Sequence, residues 1–292
     1  MNDALARLLP LLVHVQAQLD GDLSAAALAR HAGLSVSRLH RLFVAATGET
    51  PKAYVTRLRL ERAAFRLHLH EATLLELALD SGYRHHETFT RAFVRHHGVP
   101  PGAYRSAARR RRGDQAQRAP VPRHPAGLAP LAYELSASRV QRLRAQHLAF
   151  VRHVGPYEEV PGSLFDELLD WAQGCRLPGP WIWLGIGHDA PSTTAADRLR
   201  FDAAVVVPRP FAPSGRVACQ LLPEGLYAVV THVGPFGTLP QAYAQAYVQA
   251  LALPGHRLVG LPAVEIYRAA RVDIRHRLNQ TDICLPVQRA AG

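Results

Sequence analysis

Sulfur is nearly missing from this chain. In 292 residues there are three cysteines, Cys175, Cys219 and Cys284, and one methionine. The cysteines stand singly with no Cys-x-x-Cys pair, which argues against a disulfide framework and fits a reducing compartment. Long apolar runs are missing too. Nothing approaches 18 uninterrupted apolar residues, so no membrane span is expected. The opening stretch, MNDALARLLPLLVHVQAQLD, carries Asp3 and Arg7 ahead of its apolar run and Pro10 inside it. Without a basic leader or a small-residue cleavage site it reads as a first helix, and the expected compartment is the cytoplasm. There is no GxSxG, P-loop or GxGxxG, so no cofactor is expected. Sixteen histidines invite a metal reading. However, His68 and His70 diverge on a helix, and the adjacent pairs His85-His86 and His96-His97 split between faces. No metal site is expected.

Acidic residues are scarce in one part only. Residues 1–112 hold 17 Lys+Arg against 9 Asp+Glu, residues 113–144 hold 5 against 2, and residues 145–292 balance at 12 against 12. Arginine standing in for lysine explains the type of cation but not its placement. A basic first third joined to a neutral remainder points to a polyanion partner for the first part alone. The seam is RRRRGDQAQRAPVPRHPAGLAP, residues 109–130, an arginine run with four prolines and little apolar period. Before it the pattern is helical throughout. After it short strand-like runs (AFVRHV, WIWLGI, DAAVVV, YAVVTHV, DICLPV) alternate with helical stretches. The expected architecture is multi-domain: an all-α domain at 1–108, a linker at 109–130, and an α+β domain with antiparallel strands at 131–292.

Both domains repeat themselves. LHRLFVAATGETPKAY (39–54) aligns with FTRAFVRHHGVPPGAY (89–104), matching Arg41 with Arg91, Phe43 with Phe93, Gly48 with Gly98, Pro51 with Pro101 and Tyr54 with Tyr104. Each copy reads helix, glycine turn, second helix, glycine stop, proline, the order of a helix-turn-helix. Helical spacing sets Val36, Leu39, Leu42, Phe43 and Ala46 on one apolar stripe and Phe89, Ala92 and Phe93 on another. Ser37, Arg38, His40 and Arg41 face away from the first, and His86, Glu87, Thr90 and Arg91 from the second. These side chains have the chemistry that reads base edges in a major groove, although a plain solvated face is the alternative.

On these residues, together with ALDSGYRHHETFTRAFVRHHGVPPGAYR, the chain resembles the AraC-type transcriptional regulators over residues 5–107. The resemblance implies seven helices, two helix-turn-helix units joined by a long helix at about 51–69, and recognition helices about 34 Å apart on a duplex. By position it assigns base reading to Ser37, His40 and Arg41 in the first unit and to His86, Glu87, Thr90 and Arg91 in the second. His97 departs from the pattern, where the family usually places a core aromatic.

The second repeat is FVRHVGPYEEV (150–160) against VVTHVGPFGTL, 79 positions on. Each phrase reads as a strand entering a Gly-Pro turn, followed by a helix and two strands, and Asp202 matches Asp282. Leu164, Phe165, Leu168, Leu169 and Trp171 form the apolar stripe of the first helix. Two such strand-helix-strand-strand pseudo-repeats side by side make one sheet with helices on one face and a groove near the pseudo-twofold axis. HVGPYEEV, the second HVGPF and AVEIY make the region 131–289 similar to the GyrI-like small-molecule-binding domain, and the domain order is similar to Rob-type regulators. That resemblance implies binding of bulky apolar cations and places Glu265 in the groove. A buried carboxylate between apolar neighbours needs a compensating cation or partner. Trp181, Trp183, Tyr157, Phe236 and Tyr267 are the candidate aromatic walls. The alternatives are a water-facing or Arg268-paired Glu265, and tryptophans that are ordinary core.

The expected function is a non-enzymatic, ligand-responsive transcriptional regulator. Its partners are double-stranded promoter DNA, a small cationic or amphipathic effector and, as a further candidate, RNA polymerase. The alternative is a resistance protein whose second domain sequesters or hydrolyses a toxic compound, with Glu265 and Tyr267 in acid/base roles.

Overall fold

A computed structural model describes residues 3–69, 73–117, 133–260, 262–268 and 279–290. The chain divides into two compact units, Met1–Arg109 with Ala212–Gln220 and Arg110–Phe211 with Leu221–Gly292. Residues 118–132, most of the expected linker, lie outside the described residues, whereas the arginine run stands on a helix.

The first unit is built from α1 (Asp3–Ala17), α2 (Ala25–His31), α3 (Val36–Thr47), α4 (Pro51–Leu69), α5 (Leu74–Asp80), α6 (His86–His97) and α7 (Pro101–Gln117). Local chemistry sets the boundaries. The Ser24 and Ser35 hydroxyls accept from the backbone N–H of Ala27 and Arg38, and Thr73 with Glu76 closes a reciprocal capping box. Gly48 and Gly98 end α3 and α6 at φ 71° and 76°, a left-handed conformation that favours glycine, and proline follows because it starts the next helix without a missing donor. That is why the two copies match at these positions.

Leu39 and Phe43 of α3, and Phe89 and Phe93 of α6, are fully buried. Val36 is not: it is 49% exposed. As the first helical residue it extends past the edge of the core its periodicity would join. His97 replaces the expected aromatic by acting as one. Its ring lies 4.4 Å from that of Phe93 and 5.4 Å from that of Tyr104, and its Nε2 meets the Leu60 carbonyl at 3.3 Å. Burial, then neighbouring His96, lowers its pKa to about 4, so the neutral ring is the packed form.

The second unit carries β1 (Glu134–Leu135), β2 (Arg139–Leu143), β3 (Gln146–Val154), α8 (Ser163–Gly174), β4 (Trp183–Gly187), β5 (Arg200–Val207), β6 (Ala218–Leu222, of which Ala218–Gln220 fall with the first unit), β7 (Gly225–Gly234), α9 (Leu239–Leu251), β8 (His256–Leu258), β9 (Ala263–Tyr267) and β10 (Asn279–Arg289). The strands join in the order β1-β7-β10-β9-β4-β5-β3-β6, with β2 on β7 and β8 on β10. The strand expected from residue 181 begins at Trp183, and β1, β2, β6 and β8 carry no alternation that foretells them. The two repeats, β3-α8-β4-β5 and β7-α9-β9-β10, meet where β4 runs antiparallel to β9 with Gly185 opposite Glu265. The sheet also bends. Only Arg144 and Ala145 separate β2 from β3, a reach of about 11 Å, yet six strand spacings of about 4.8 Å lie between them along the sheet.

The doubled phrase is a strand ending. A Cβ added to Gly155 would stand 3.1 Å from Nε2 of His153, and one on Gly234 3.1 Å from Nε2 of His232, so each imidazole folds over the glycine two residues on. Pro156 and Pro235 then open the 3-10 turns Tyr157–Glu159 and Phe236–Thr238.

Helices α8 and α9 cover one face of the sheet. Leu164, Phe165 and Leu168 are buried there, while Leu169 and Trp171 are only half-buried, Trp171 lying against Phe211 at 4.9 Å. The opposite face holds two related polar clusters. Asp202 accepts from Arg152 at 2.7 Å through both oxygens and meets Nε2 of His188 at 2.6 Å. Asp282 accepts from Thr231 at 2.7 Å and from Arg268 at 3.0 Å. Burial opposes ionisation of Asp202, but Arg152 and His188 outweigh it and hold the carboxyl well below the usual carboxylate range.

Two outcomes follow for stability. Asp202→Ala removes the carboxylate to which both Nε and Nη2 of Arg152, 3% exposed, donate, so urea unfolding should show a loss of about 3–5 kcal/mol; a loss under about 1 kcal/mol would contradict this. For His97 the folded value lies below the unfolded one, so protonation favours the unfolded chain. Its contribution is complete above about pH 6.5 and declines toward about pH 4. His97→Phe should flatten that part of the stability-against-pH curve, and identical slopes in both proteins would refute the assignment.

Candidate functional site

The first unit presents two like surfaces. On α3, with Leu39 and Phe43 facing the core, Ser37, Arg38, His40 and Arg41 are all exposed, and Arg41 Nη1 donates to the Ser37 hydroxyl at 3.1 Å. On α6, with Phe89 and Phe93 inward, His86, Glu87 and Arg91 are exposed, and His86 Nδ1 lies 3.5 Å from Glu87. Thr90 is half-buried and presents less of itself than helical spacing implies. Each helix therefore offers a cation and neutral hydrogen-bonding groups to a partner on one side.

The second unit centres on Glu265, which is 7% exposed. It lies on β9 between β4 and β10, so it is neither an edge residue facing water nor a partner of Arg268, which bonds Asp282 instead. Its carboxylate accepts from the Tyr243 hydroxyl at 2.9 Å and from the Tyr267 hydroxyl at 2.5 Å. Burial raises its pKa, against the lowering effect of those two bonds. Burial, then Glu265 itself, pushes both phenols well above their ordinary value, so they remain donors. Asp202 and Asp282, equally buried, each hold an arginine. Among the described residues no ion pair reaches Glu265.

The walls are aromatic. Phe236 meets Tyr267 edge-on at 5.5 Å, Phe165 meets Tyr267 at 5.4 Å, and Phe165 meets Trp183 at 6.4 Å. Tyr267 has room because Gly185 lies beneath it: an added Cβ there would stand 2.3 Å from the Tyr267 hydroxyl and 2.7 Å from Phe201. Of the expected wall residues, Tyr267, Phe236 and Trp183 gather around Glu265, Trp183 being 1% exposed and part of the core. Trp181 reaches this group only through the edge of Trp183, at 5.9 Å, and its indole N–H donates to Leu177. The Tyr157 hydroxyl is engaged elsewhere, donating to the Asp189 carbonyl at 2.7 Å. Tyr243 escaped the sequence reading. Its signal was a tyrosine pair, Tyr243 and Tyr247, four residues apart in a helix otherwise rich in alanine and glutamine.

A helix-turn-helix domain model matches residues 28–107, and a GyrI-like small molecule binding domain model matches residues 137–288. The chain is 35% identical over 98 residues to the transcriptional regulator Rob of Salmonella typhimurium, covering 34% of each chain. It is 28% identical over 135 residues to a DNA gyrase inhibitor of Yersinia enterocolitica, covering 45% of this chain and 85% of that protein. The match thus spans about a third of the length of Rob. A crystal structure of an AraC-type transcriptional regulator from Chromobacterium violaceum is 25% identical over 35% of this chain and 91% of its own, at a TM-score of 0.34. The chain belongs to the GyrI-like small molecule binding domain family and carries a helix-turn-helix domain ahead of it.

Proposed function

We propose that the protein is a ligand-responsive transcriptional regulator. The first domain binds promoter DNA, with α3 and α6 entering successive major-groove segments, and Ser37, His40, Arg41, His86, Glu87, Thr90 and Arg91 facing base edges. The second domain takes a small apolar cation against Glu265 and thereby alters the first domain's affinity for DNA or its contact with RNA polymerase. The observation that carries the reading is the duplicated surface: α3 buries Leu39 and Phe43, α6 buries Phe89 and Phe93, and each helix exposes an arginine-bearing face. The excess of positive charge in residues 1–112 supports it. The lone buried carboxylate supports the choice of ligand charge.

Affinity for the protein's own promoter should fall steeply with salt, as phosphate neutralisation releases counterions; a flat salt dependence would remove the DNA reading. Arg41→Ala and Arg91→Ala should each cost about 1–3 kcal/mol of discrimination between specific and random duplexes. Equal losses on both duplexes would reassign these arginines to phosphate contacts.

Thermal shift across a library of lipophilic cations should identify stabilising compounds whose effect disappears in Glu265→Gln. Because the cation binds the ionised carboxylate, affinity should rise with pH as Glu265 loses its proton. Retention of every shift by the variant would rule out the charge pairing. Product formation from such compounds would favour a hydrolytic second domain instead.

A further inference from the structure

The two helix-turn-helix units have separate cores. The first is built around Leu12, Leu39, Phe43 and Leu58, the second around Leu60, Leu77, Phe89 and Phe93, and α4 passes from one to the other between Leu58 and Leu60. Each core ties its own unit to its own half of α4. Polar bonds join the units directly. Arg62 Nη1 donates to the carboxylate of Asp20 at 3.3 Å, and its Nη2 donates to the Asp80 carbonyl at 2.8 Å. Asp20 lies in the loop between α1 and α2, and Asp80 ends α5, so one guanidinium grips both units.

Arg59 works beside it. Its Nε and Nη2 donate to the carbonyls of Leu19 at 2.9 Å and Gly21 at 2.8 Å. Its Nη1 occupies the place next to Gly82, 2.5 Å from where a Cβ would be. Arg66, one helical turn beyond Arg62, bonds the Asp80 carboxylate. Residues 59, 62 and 66 share one α4 face, so they form a row of cations across the junction. A second path runs on another side of the helix. Arg57 holds Glu49 at 2.7 Å and Glu61 at 3.2 Å, and Glu61 lies 3.9 Å from Nε2 of His96 on α6.

We propose that Arg62, supported by Arg59, is a cross-brace that sets the separation and angle between α3 and α6 and hence the half-site spacing the protein accepts. This rests on the DNA-binding reading above. Arg62 is a positioning residue and needs no contact with DNA. Two tethered reading modules gain affinity together only if both reach their sites at once, so a looser junction lowers the effective concentration of the second module and broadens the geometries it tolerates.

The test uses full-length protein and the tightest duplex that the wild type selects from a random pool. Derivatives with one or two base pairs inserted between the half-sites, and a single half-site, complete the set. The wild type should lose about tenfold or more on the altered spacings. Arg62→Ala should bind the selected duplex about tenfold more weakly, reflecting the lost charged hydrogen bonds, and should nearly cease to distinguish spacings. Its half-site affinity should be unchanged. Arg62→Lys, which cannot present two donors in fork geometry, should fall between. Asp20→Asn, at a side chain 76% exposed and so safe for folding, should weaken one arm and flatten the profile partly. A wild-type spacing profile in Arg62→Ala and Asp20→Asn, or equal losses on half-site and full duplex, would overturn the brace. If the wild type selected no duplex, the DNA reading itself would fall, and the brace with it.

Discussion

The antiparallel ladder between β4 and β9 is the constraint on which the second domain depends. It joins two copies of one unit into a single sheet. At its centre the copies differ: glycine stands at 185 where its counterpart, 80 positions on, is Glu265. The missing side chain gives Tyr267 its place, and Tyr267 in turn donates to Glu265. Duplication made the fold, and the broken symmetry at its axis made room for a site.

Electrostatics separates the structural acids from the candidate binding one. Asp202 and Asp282 stand at equivalent positions on the face away from the helices, and each is neutralised within the domain by arginine. These pairs tie strands together, Arg139 reaching Asp282 across 143 positions of sequence. Glu265 lies on the helix-covered side, where the hydroxyls of Tyr243 and Tyr267 donate to it. A charge satisfied within the fold specifies structure; Glu265 is met by two hydroxyl donors and, among the described residues, by no ion pair.

The first domain also doubles a unit, but there the copies stay apart in packing. Two small cores are threaded on one helix, and the space between them is crossed by arginines that donate to backbone carbonyls and carboxylates. Such bonds are directional where apolar packing is not, so they suit a junction whose task is to hold an angle.

Much of this was legible beforehand because repetition and period are local signals. The helix stops followed from Gly48 and Gly98, the inward faces from Phe43 and Phe93, and the doubled sheet from the two His-Val-Gly-Pro phrases. Ser37, Arg38, His40, Arg41, His86, Glu87 and Arg91 were placed outward by helical spacing alone. What escaped depends on neighbours distant in sequence. Strands β2 and β6 hold no alternation of their own and exist because β7 and β3 offer edges to pair with. Val36 fits the apolar stripe but has nothing opposite it. Tyr243 gained its meaning only when α9 was laid over β9, and Arg59 and Arg62 looked like any basic face until the loops they grip were brought beside them. Sequence by itself determined the units and their sides, since a residue's position along a helix or strand fixes its direction. Tertiary structure decided which partners stand there, because pairing energy lies between segments that the chain's linear order keeps apart.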